Sequence, residues 1–255
     1  MRRPLSGLLA AALAISVMAL TGPGANAGAA GPRLVLRRTS SEITVTRREG
    51  RSFYFNPGVY VASMDAPFSL EIGREDYDSP FHVDQVMPGG GTRSLPDSLF
   101  EVSSYEGLPR FTRMTVTDRA GDVRADRLLP LCPNGYDRQR IADGGPVTPT
   151  FPDDCWSNPF SLGLVWGIDR DWATNIVGYG MPLKLPAGRY HIDFSVAPLY
   201  ADLFDVTPQD GYTTVTLVVR DRREAASPPR SAPRAVGDMG APNPKVPIDE
   251  DPDPS

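Results

Sequence analysis

The sequence predicts an all-β chain, folded as an immunoglobulin-like antiparallel β-sandwich with a long disulfide-closed loop. Three observations carry that expectation. Apolar and polar residues alternate at period two in several short runs, as in strands with one buried face. Clusters of Pro, Gly, Asn and Asp separate those runs. Only Ala197–Phe204 offers a short helix, and no internal repeat is present.

The elements follow in chain order. Leu34 and Leu36 alternate with Val35 and Arg37, and Ile43 and Val45 with Thr44 and Thr46. Phe68, Leu70 and Ile72 face one way, with Ser69, Glu71 and Gly73 facing the other. Met114 and Val116 alternate with Thr115 and Thr117. Tyr190, Ile192, Phe194 and Val196 form one inward row, and Val215, Leu217 and Val219 the last. Turns are expected at Asn56-Pro57-Gly58, Pro88-Gly89-Gly90-Gly91, Ala120-Gly121-Asp122 and Pro186-Ala187-Gly188. The run Pro186-Ala-Gly-Arg-Tyr190 ahead of an alternating strand is common in immunoglobulin-like sandwiches. Residues 130–160 form a proline-rich excursion, and a loop of that length needs a reason.

Three segments are expected. Residues 1–27 read as a signal peptide. Arg2 and Arg3 form the positive start, Leu8–Leu20 the apolar stretch, and Ala25-Asn26-Ala27 the small residues before cleavage. That apolar stretch falls short of the roughly 20 residues a membrane span needs. Residues 28–222 form the β-sandwich domain. Residues 223–255 form an acidic tail, whose eight prolines and lack of aromatics predict disorder. The expected location is therefore secreted: extracellular or associated with the cell envelope, with no membrane span after cleavage.

Composition narrows the chemistry. The chain carries −5, and −7 once Arg2 and Arg3 leave, which argues against a nucleic-acid partner. Two cysteines and two histidines are too few for a zinc site or an iron–sulfur cluster. In an exported chain, Cys132 and Cys155 read as one disulfide. That closure of 22 intervening residues is worth roughly 3 kcal/mol in the chain-entropy account. No Gly-x-Ser-x-Gly elbow exists, and Gly89–Gly91 lacks the Lys-Ser/Thr and helix of a phosphate loop. Alternation puts His191 on the outer face of its strand, and His82 sits at a strand start. Acidic groups such as Glu75-Asp76 or Asp153-Asp154 lack calcium-loop spacing. No catalytic residue, metal ligand or cofactor is assigned. What remains is aromatic. Trp156, Phe160, Trp166, Trp172 and Tyr179 crowd beside the cysteines, either as a sugar- or peptide-binding surface or as a satellite core on the disulfide.

Several stretches together carry a resemblance. They are Pro67-Phe-Ser-Leu-Glu71, Gly107-Leu-Pro-Arg-Phe-Thr112, Leu131-Cys-Pro-Asn-Gly-Tyr-Asp-Arg-Gln-Arg140 and Pro149-Thr-Phe-Pro-Asp-Asp-Cys155. Asn158-Pro-Phe-Ser-Leu-Gly-Leu-Val-Trp-Gly-Ile168, Asp171-Trp-Ala173, Leu185-Pro-Ala-Gly-Arg-Tyr190 and Tyr200-Ala-Asp-Leu-Phe204 complete the set. Over residues 33–220 the chain resembles the N-terminal, non-catalytic region of secreted actinobacterial lysyl-oxidase-like proteins. An arginine-rich composition with only Lys184 and Lys245 as lysines fits a GC-rich source. In that family a second domain follows, binds copper through a His-x-His-x-His cluster, builds a quinone from Lys and Tyr, and oxidises primary amines. This chain ends where that domain would begin and holds no His-x-His. The resemblance thus implies the fold, export, the disulfide and a place next to an amine oxidase, but no enzyme activity. The expected role is a non-catalytic module that binds or presents a protein or cell-envelope partner. A detached part of a copper amine oxidase and a carbohydrate- or wall-binding module are the alternatives.

Overall fold

A computed structural model describes residues 31–96, 107–155 and 160–222. The signal peptide and the acidic tail expected from the sequence lie outside the described residues, as does Trp156. The described chain is all-β and sandwich-like, with fifteen strands and one short helix.

The largest sheet holds five strands: β2 (Glu42–Arg47), β15 (Tyr212–Asp221), β14 (Gly188–Val196), β8 (Leu108–Asp118) and β9 (Val123–Leu131), side by side in that order. The alternation expected of β14 holds residue by residue. Tyr190, Ile192, Phe194 and Val196 are buried, and His191 is exposed. Registration extends the row, because Ile192 lies opposite both Val215 of β15 and Val116 of β8. Each such side chain contributes about 1.5–3 kcal/mol by leaving water. At the turn before β14 the Tyr190 hydroxyl donates to the Pro186 carbonyl at 2.9 Å, the back-bond of a tyrosine corner.

Two four-stranded sheets and one pair complete the layers. One runs β1 (Arg33–Arg38), β4 (Val59–Met64), β12 (Trp172–Asn175), β10 (Arg138–Arg140). The other runs β11 (Gly163–Ile168), β5 (Phe68–Gly73), β6 (His82–Val86), β7 (Thr92–Ser94). β3 (Phe53–Phe55) and β13 (Met181–Leu183) pair alone. One apolar cluster joins all of these, from Leu34 and Val61 through Phe68 and Leu70 to Ile192 and Leu217. The helix α1 (Pro198–Leu203) appears where expected, begun by its proline. Its Tyr200 is buried beside Phe111 and donates to the Pro109 carbonyl at 2.7 Å. Phe204 meets Phe68 edge-on at 5.0 Å.

Three features depart from the expectation. β2 pairs with β15 in parallel, so the sandwich is not wholly antiparallel. The buried Arg47 fastens that pairing, bonding to the Arg48 and Arg51 carbonyls and to Asp221. β4 is buried on both faces: Val59 and Val61 enter the main core, whereas Tyr60 and Ala62 join Ala173 in a second cluster. Finally, the excursion after Pro130 is not all loop, because β10 joins the β12 edge.

Candidate functional site

The excursion is closed by the Cys132–Cys155 disulfide, whose Cα atoms lie 5.6 Å apart. Beside the bridge, Asn134 is 1% exposed and acts as the hub. Its Nδ2 donates to the Val165 carbonyl at 2.8 Å and the Asp154 carbonyl at 3.2 Å, and its Oδ1 accepts the Gly167 N–H at 2.7 Å. One side chain therefore ties both ends of the excursion to β11. Further along, Arg138 donates to the Phe151 carbonyl and pairs with Asp153. The Thr150 N–H donates to Asp169 at 2.8 Å, and Trp172 Nε1 to the Pro146 carbonyl at 2.9 Å. These contacts convert a 23-residue separation into a fixed body.

One tyrosine ring on that body and one on the turn after β12 face solvent. Tyr179 is 87% exposed and Tyr136 61%, with ring centroids 6.2 Å apart and planes tilted by 35°. Tyr179 tips a tight turn in which Gly178 and Gly180 both have positive φ, a region that favours glycine. The Tyr136 hydroxyl donates to Asp154 Oδ2 at 2.9 Å, and this bond holds the phenol above its ordinary pKa.

A chain of hydrogen bonds fixes the two tyrosine loops relative to each other. Beside Tyr136, Asp137 accepts from Tyr60 and from Asn175 Nδ2, each at 2.8 Å. Asn175 also donates to Asn56 Oδ1 at 3.2 Å. Asn56 Nδ2 then donates to the Gly178 carbonyl at 3.1 Å, next to Tyr179. Gln139 donates to the Tyr60 hydroxyl at 2.8 Å. Burial and the bond to Asp137 raise the Tyr60 pKa, so its hydroxyl remains a donor at neutral pH. The rings thus stand on a satisfied polar frame rather than on mobile loops.

The aromatic residues read from the sequence as either a binding surface or a satellite core part company. Trp166 and Trp172 are buried, at 4% and 9% exposure, because they belong to the core-packed strands β11 and β12. Phe160 is 76% exposed and meets Tyr77 edge-on at 6.4 Å, a ring contact separate from Tyr136–Tyr179. Tyr136 did not stand out in the sequence. Its signal was the preceding Pro133-Asn134-Gly135 turn, just as glycines flank Tyr179.

Elsewhere the chemistry is dispersed. His82 and His191 sit on different sheets. Among the described residues no group of three or more His, Cys, Asp or Glu is placed to hold a metal ion. A copper cluster of the lysyl-oxidase kind therefore does not fit the histidines present. His191 borders a shallow cleft of about 630 Å³ with Thr117, Arg119, Arg189 and Asp193. Its charges are largely engaged, Arg189 with Glu42 at 2.8 Å and Asp193 with Tyr212 at 2.5 Å. No helix among the described residues is long and apolar enough to cross a membrane. No protein-family model, no curated protein and no solved structure matches the chain.

Proposed function

We propose that the protein is an exported, non-catalytic β-sandwich that binds or presents at the cell envelope. In this reading it is a stand-alone relative of the N-terminal region of lysyl-oxidase-like proteins. The observation that carries it is the hydrogen-bonded chain Asp137–Asn175–Asn56–Gly178, which fixes the exposed Tyr179 turn against the disulfide-closed body that carries the exposed Tyr136. Rigid, exposed aromatic rings serve binding, because little side-chain freedom is lost when a partner covers them. A disulfide favours an oxidising compartment, in agreement with export. The dispersal of the histidines gives no support to an oxidase activity.

The test combines location with activity. The protein is expected in the medium or envelope fraction, starting at Gly28, and to release no peroxide from a primary amine in the presence of copper. Recovery from the cytoplasm with Met1 retained, or stoichiometric copper together with peroxide release, overturns the proposal.

A further inference from the structure

We infer that Tyr136 and Tyr179 form a stacking platform for an extended chain of neutral hexopyranose sugars, an assignment that rests on the reading of the protein as an envelope-binding module. Both rings are well exposed, at 61% and 87%, although most of the aromatic residues of this domain are buried. Their ring centroids lie 6.2 Å apart, so both rings fall within the span of two linked sugar rings. A tilt of 35° makes a shallow platform on which neighbouring sugars can each meet one ring. The same shallow angle makes a poor cage for a quaternary ammonium, which is best held by rings that surround it.

The chemistry fits a pyranose in two ways. Aromatic faces carry negative charge density and attract the partly positive C–H bonds of a sugar's apolar face. Sugar hydroxyls need acceptors at the rim, and Asp154 stands there, its Oδ2 already accepting from Tyr136 and retaining a lone pair. Asp153 is paired with Arg138, but Asp154 keeps the rim acidic, which disfavours uronic acids and phosphorylated glycans and selects a neutral chain. The rigid frame under both rings supplies preorganisation, so a small contact can bind measurably.

The experiment titrates the mature chain, residues 28–255, with cellohexaose and chitohexaose, using choline as a cationic control and sedimentation with envelope fragments in parallel. Saturable binding of at least one hexasaccharide is expected. Tyr136→Ala and Tyr179→Ala should each weaken it about tenfold, as expected for one lost aromatic contact. Tyr179→Phe should retain it, because the ring face remains. Thermal melting confirms that each variant folds, and a variant that does not is replaced by Tyr→Ser at the same position. Absence of binding to both sugars, binding unchanged in the Ala variants, or saturable choline binding lost with the rings overturns the sugar assignment. If sugars fail while tyrosine-dependent envelope retention persists, the envelope reading stands. Loss of both overturns both.

Discussion

Asn134→Ala should destabilise the domain by about 3 kcal/mol, although the residue lies in a loop and outside the main apolar cluster. Three side-chain hydrogen bonds disappear, to Val165, Asp154 and Gly167. Each is worth about 1 kcal/mol net, and the buried Gly167 N–H is left without its acceptor, adding roughly 1 kcal/mol or more. Partial rehydration of the more exposed carbonyls brings the sum back to about 3 kcal/mol. For a domain of this size the midpoint of thermal unfolding should fall by about 6–12 °C. Asn134→Asp separates hydrogen bonding from shape. It keeps the volume and the acceptor for Gly167, but faces the two carbonyl oxygens with a carboxylate instead of an amide donor. It should cost at least as much as Ala at neutral pH. A fall below about 3 °C for Ala, or an Asp variant equal to the wild type, would refute the hub assignment.

Other outcomes follow from the same structure. Labelling the denatured, unreduced protein should detect no thiol, and Cys132→Ala/Cys155→Ala should lower stability by roughly 2–5 kcal/mol in denaturant titration. Burial raises the Tyr200 pKa above its ordinary 10.0, so the folded state holds that proton longer than the unfolded state. Stability should therefore fall as pH rises above about 10, and Tyr200→Phe should flatten that slope while losing about 1 kcal/mol with the bond to Pro109. At the acid end, Asp118 and Asp126 are held below their ordinary pKa of 3.8 by hydrogen bonds from Arg124 and Arg113. Their contribution is complete above that value and lost as pH falls through the lowered ones, which a melting series from pH 5 to about 2 will read. A chain stopped at Arg222 retains Arg47–Asp221 and the whole of β15, so its midpoint should fall by less than about 4 °C.

Sequence and structure agree where one face of a strand is wet. β5, β8, β14 and the core row of β15 alternate visibly, because water on the outer face selects Thr, Ser, Arg and Asp. β4 and β12 do not alternate. Both lie inside a sheet covered on each side, so Val59–Tyr60–Val61–Ala62 shows no period of two. β3, β7, β10 and β13 are three residues each, too short for any period. The parallel pairing of β2 with β15 depends on contacts between distant segments, which no local pattern encodes. The disulfide was legible by counting.

The site was harder to read for a similar reason. Closeness in sequence left Trp156, Phe160, Trp166 and Trp172 as either one surface or a core on the disulfide, and strand direction sends Trp166 and Trp172 inward. The Tyr136–Tyr179 pair is joined through Asn56 and Asn175, which are 119 residues apart. Only the glycines beside Tyr136 and Tyr179 hinted at rings lifted on tight turns.

The measurement that bears most directly on the account is sedimentation of the mature, disulfide-intact chain with purified cell-envelope fragments, comparing the native protein with Tyr136→Ala/Tyr179→Ala. The native chain should pellet with the envelope while the double variant, equally folded by its melting curve, stays in solution. Equal retention of both proteins, or of neither, would contradict it.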